Sequence, residues 1–223
     1  MLAMLTKYDM LRYAAAVITD HDYMVRTPER FRQQCEVADA INSEYGNFIP
    51  LIVGLEIQLG WGFEAVLLGR VAIQRWLNAC RVDKSVPCVF HSFKTPKVTP
   101  EFFDGIPYAL ILAHPSLDRI RTFDMNTMSW GCFPSAALDI DEVRLPFSLV
   151  HGFERTNRGV DIFSEDEVSL LERKFGIRSY RSSDAHDTDL VGCCHTDIDV
   201  DVNNEGDLVR WVRSGRVDGN FRG

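Results

Sequence analysis

The segment Val17–Tyr23, VITDHDY, passes from apolar residues straight into Thr19, Asp20, His21 and Asp22. That pattern reads as a buried strand whose last residues deliver polar side chains into a site. The same signature recurs along the chain. FIPLIVGLEIQL reads as a strand ending near Glu56, PCVFHSF and YALILAHP as strands ending in His91 and His114, and IRSYRSSDAH as one ending in Asp184 and His186. FSLVHGFERTN and FEAVLLG are further strand candidates.

Helical patterns alternate with these strands. Residues 2–13 have helical spacing, Thr27 caps a helix with Pro28 at its first position and a stop at Gly46, and VAIQRWLNAC follows the same period. Ser164 with Glu167 forms a capping box for a helix that stops at Gly176, and a last helix surrounds GDLVRWVRS. Alternating strands and helices imply a mainly parallel sheet covered by helices. In a barrel of parallel strands the carboxyl ends converge on one rim, so His21, Glu56, His91, His114, Asp184 and His186 are expected to meet there.

With 223 residues and 46% hydrophobic content, one domain spanning 1–223 with a sizeable core is expected. A formal charge of −8 argues against sequence-blind or sequence-specific nucleic-acid binding, which rewards clustered Lys and Arg. Six cysteines have neither the density nor the spacing of a disulfide scaffold, and no apolar run approaches the roughly 20 residues that span a bilayer. A cytoplasmic protein without a membrane partner is the expectation; oligomeric state is open. Cys193 and Cys194 make a poor start for a tetrahedral zinc site and are expected as small buried residues on a last strand, LVGCCHTDIDV.

Imidazoles with carboxylates suit Zn, Mn or Fe. TDHD, GLEI, LAHP and SSDAH, in this order, resemble the PHP (polymerase and histidinol phosphatase) family over nearly the whole chain. The resemblance implies a distorted (β/α)7 TIM-like barrel around two or three divalent ions that hydrolyses phosphoesters. It makes His21, His114 and His186 ligands, Glu56 the bridging carboxylate and Asp184 the last acid, with Glu56, Asp184 and His186 the expected catalytic set. His91 is a ligand in one alignment; in another Val66, within FEAVLLG, takes that position.

The family's first strand ends in His-x-His, and no such triplet occurs here. Either the motif has been lost, giving a domain with fewer ions, or Met1 is internal and an upstream segment supplies the strand. The second fits better with the aggregation hazard of two unpaired apolar edges. The expected activity is a metal-dependent phosphoesterase acting on a small phosphorylated metabolite or nucleotide through metal-activated hydroxide, since coordination lowers the pKa of water from 15.7 to about 7. Arg155 and Arg158 are candidate phosphate-binding residues. The alternatives are a non-catalytic PHP-like binding or regulatory domain and an amidohydrolase-like enzyme, because metal-activated hydroxide also attacks carbonyls.

Overall fold

The computed structural model describes residues 13–45, 49–60, 63–82, 93–115, 123–124, 129–130, 147–186 and 188–215. The opening segment becomes strand β1, Ala16–His21, followed by the short helix α1, Asp22–Val25. Helix α2, Pro28–Tyr45, begins where Thr27 Oγ1 accepts from the Arg30 amide, and its Phe31, Cys35 and Ala38 recur at helical spacing on the buried side. Strands β2, Leu51–Gly60, and β3, Phe63–Leu68, lead to α3, Arg70–Ala79. After β4, Ala109–Ala113, come the hairpin of β5, Gly152–Asn157, and β6, Val160–Asp161. Helix α4, Glu165–Phe175, strand β7, Arg178–Ser182, and helix α5, Glu205–Ser214, complete the domain.

These seven strands form one curled sheet in the order β1-β2-β3-β4-β5, with β6 and β7 both pairing with β5. β1, β2, β4, β5 and β7 run in one direction. Most strands are thus parallel, as expected, but β3 runs against both its neighbours and makes the sheet mixed. Two residues separate β2 from β3, and a connection that short permits only a hairpin, whereas a parallel pair needs a crossover of a dozen or more. Among the described residues β1 and β7 pair with no common neighbour, so the sheet is a partial barrel.

Alternation along each strand divides the side chains between two faces. The outer face carries Val53, Leu55, Ile57, Ala65, Leu67, Leu110, Leu112 and Phe153, buried against Phe31 of α2, Trp76 of α3 and Phe175 of α4. The inner face carries Ile52, Leu68, Ala109 and Tyr180, closed at one end by Leu208, Val209, Trp211 and Val212 of α5. A cavity of about 230 Å³ remains on this side, lined by Val17, Thr19, Val66, Ile111, Glu154 and Ser182 among others.

Another expectation changes. Residues 188–204 form turns and bends instead of a last strand; Cys193 is exposed and Cys194 half-buried, so the buried-strand account of both does not hold. The expected helix over 2–13 lies outside the described residues except for Tyr13, as does PCVFHSF except for its last residue, Phe93, which with Lys94 pairs with Arg81–Val82.

Candidate metal centre

The inner face becomes polar where the parallel strands end. His21 closes β1 and lies in register with Glu56 of β2, with Nδ1 3.6 Å from Glu56 Oε2. Glu64, at the start of β3, reaches the same place because β3 runs in reverse: its first residues meet the others' last. Ligand atoms of His21, Glu56 and Glu64 all lie within 4.8 Å of one another. His114, just past β4, adds an imidazole whose Nε2 is 2.8 Å from Glu56 Oε1 and 3.6 Å from Glu64 Oε2.

The charges at this cluster are interdependent. Burial acts to raise the Glu56 carboxyl, but the hydrogen bond from His114 and the charges of His21 and His114 outweigh it and hold the group below its ordinary range. The same bond raises His114 to about 9 against the opposing effect of burial, so Nε2 donates to Glu56 as part of an imidazolium. One imidazole and two carboxylates gathered this closely, with a second imidazole at their edge, are a donor set that fits Zn, Mn or Fe.

Neighbouring groups hold these side chains in place. Tyr23 stacks on His21 with ring centroids 4.8 Å apart. Asp22 is fully buried and accepts from Trp76 Nε1 at 3.1 Å and the Gln58 amide at 3.3 Å, tying the residue after His21 to α3 and β2. Burial pushes its carboxyl up to about 6 in spite of those bonds. Glu154, on the inner face of β5, accepts from the His114 amide at 2.6 Å and Asn157 Nδ2 at 3.1 Å; burial raises its carboxyl too. His114 has φ 20°, Arg158 51° and Asp184 41°, so three non-glycine residues with positive φ cluster on this rim.

The sequence-derived candidates fall into distinct groups. His21, Glu56 and His114 come together. Asp184 and His186 follow β7 and are joined to Arg158: Nε donates to Asp184 Oδ2 at 2.9 Å, and Nη2 lies 2.9 Å from His186 Nδ1. Arg155 does not reach this rim, since alternation turns it to the face opposite Glu154, where it pairs with Glu165 of α4. His91 lies outside the described residues. Val66 lines the cavity below the rim, and Glu64, two residues earlier on the same face, brings to the cluster a carboxylate that sequence reasoning missed. The short β2–β3 connection was the signal that could have found it.

A family model described as PHP-associated matches residues 170–217. No curated protein matches the chain. A solved structure from Bifidobacterium adolescentis, provisionally described as a metal-dependent phosphoesterase, is 12% identical, with a TM-score of 0.47 over 96% of this chain and 90% of that one. At that level of likeness no residue role passes from one protein to the other.

Proposed function

We propose that this chain, which matches a PHP-associated family model over residues 170–217, is a metal-dependent phosphoesterase of the PHP family acting on a small phosphorylated substrate. The observation that carries the reading is the convergence of His21, Glu56 and Glu64 from three adjacent strands, with ligand atoms within 4.8 Å. These residues would hold a divalent ion, Mn, Zn or Fe, with His114 beside them. Such an ion supplies Lewis acidity, polarising phosphoryl oxygens and acidifying water.

The chain's own residues perform the remaining tasks. His114, protonated at neutral pH in the metal-free protein, is placed to hold or give up a proton at Nε2. Glu154 fixes the backbone at His114, and Tyr23 fixes the plane of His21. Arg158 brings a guanidinium to the Asp184–His186 side, where a phosphate oxygen is a natural partner. The cavity below the rim admits a small substituent of the substrate and is mostly walled by apolar side chains.

The test pairs elemental analysis with turnover. Purified protein loaded with Mn, Zn or Fe is expected to retain metal and hydrolyse an aryl phosphate faster than a matched anilide. Glu56→Gln is expected to lose both properties, with turnover falling by about 100-fold or more, since even groups that only support ligands contribute 10–100-fold. Preferential cleavage of the anilide would favour the amidohydrolase reading. Metal retention without turnover of either substrate would favour a binding domain.

A further inference from the structure

We propose that Arg158 is a resident cation that competes with a second divalent ion for Asp184 and His186. The proposal rests on His21, Glu56 and Glu64 forming the first ion's site. Arg158 Nε and Nη2 both lie 2.9 Å from Asp184 Oδ2, and Nη2 also lies 2.9 Å from His186 Nδ1. A guanidinium can only donate, so Nδ1 receives this bond through its lone pair and the ring carries its proton on Nε2. Nδ1 is also 3.0 Å from the Asp184 carbonyl, but a nitrogen accepting from Arg158 cannot donate there. The carboxylate oxygen and imidazole lone pair engaged by Arg158 are the groups a divalent ion would need.

The backbone supplies an independent argument. Arg158 and Gly159 have φ of 51° and 77° and form the two-residue turn between β5 and β6, whose flanking residues Asn157 and Val160 pair. Positive φ at both positions is the type I′ geometry, in which Asn-Gly or Gly-Gly is the favoured pair. A long cationic side chain at the first position is held there against local preference, and such strain concentrates at functional sites. The turn also clamps the Arg158 amide to the Ser182 carbonyl at 3.1 Å, fixing the arginine beside the end of β7, from which Asp184 and His186 emerge. With Arg158 in place the rim takes one ion at His21, Glu56 and Glu64 and presents a fixed guanidinium on its other side.

Titration of the chelator-treated full chain with Mn²⁺, followed by calorimetry and elemental analysis, tests this. Wild type is expected to bind one ion. Arg158→Asn and Arg158→Gly, both suited to a left-handed position, are expected to bind a second ion at least tenfold more tightly than any second event in wild type. Their metal-free melting temperatures should be no lower than wild type's, and Arg158→Asn combined with Asp184→Asn should return to one ion. Two ions in wild type with affinities matching the variants, or a single ion in both variants, would overturn the proposal while leaving the first site standing. No ion in wild type but one in Arg158→Asn would sink the first-site reading and support the role of Arg158. No ion in any of these proteins would end both.

Discussion

With Nε2 donating to Glu56 Oε1 at 2.8 Å, His114 keeps its proton to about pH 9 in the metal-free protein, against an ordinary 6.5. The folded state therefore holds a proton that the unfolded chain releases earlier. The resulting stabilisation is fully present below about pH 6.5 and is lost as pH rises through 9. Thermal midpoints of chelator-treated protein should fall across that window, and Glu56→Gln should flatten the slope. The effect is expected to be shallow because 37% of the His114 side chain is exposed. An equal slope in wild type and Glu56→Gln would show that the pair does not carry the linkage. Divalent ions must displace this proton to use His114, so their affinity should rise with pH. Thiol chemistry gives a second residue-level prediction. Burial pushes Cys35 up to about 11 and Cys80 up to about 12, whereas Cys193 is exposed. Iodoacetamide at pH 8, followed by peptide mapping, should label Cys193 well before either of the others; early labelling of Cys35 would contradict the packing of α2.

Local elements were the most legible part of the chain. Ser164 Oγ accepts from the Glu167 amide, the Glu167 carboxylate accepts from the Ser164 amide at 2.8 Å, and Gly176 closes α4 at φ 61°, as Ser-x-x-Glu and a terminal glycine imply. Ser164→Ala should cost about 1 kcal/mol in denaturant unfolding. Packing between elements was not legible in the same way. Gly152 looks unremarkable in FSLVHGFERTN, but β7 brings the Tyr180 ring over it, and an added Cβ would lie 2.0 Å from Tyr180 Cε2 and 2.6 Å from the Arg178 carbonyl. Gly152→Ala should lower stability by about 1–3 kcal/mol through overpacking; an unchanged urea midpoint would mean that β5 and β7 pack differently. The direction of β3 belongs to this scale as well. A six-residue run that is apolar apart from Glu64 reports that it is a strand, not which way it points.

For the whole molecule, an ion at His21, Glu56 and Glu64 links β1, β2 and β3, so binding should stabilise the sheet rather than only the site. At 100 times the dissociation constant the linkage is worth about 2.7 kcal/mol, or about 5–10 °C in melting temperature for a domain of this size. Differential scanning calorimetry with and without Mn²⁺ should show that rise in wild type and not in His21→Ala. The same rise in His21→Ala would place the ion elsewhere. Among the described residues no helix is long and apolar enough to cross a membrane.

Helix caps and the polar residues that follow apolar runs, His21, His114, Asp184 and His186 among them, were legible in the chain itself, because capping and alternation are properties of neighbouring residues; where a strand stops was less so, since β2 runs on past Glu56 to Gly60. Three features waited on the tertiary structure. Reversal of β3 brought Glu64 to the rim; strand alternation sent Arg155 away while the hairpin turn kept Arg158; and burial made Glu154 and Asp22 supports of the neighbouring backbone. Each depends on which distant segment pairs beside a residue and from which side, and that choice is settled by non-local hydrogen bonding and packing, which no local period encodes.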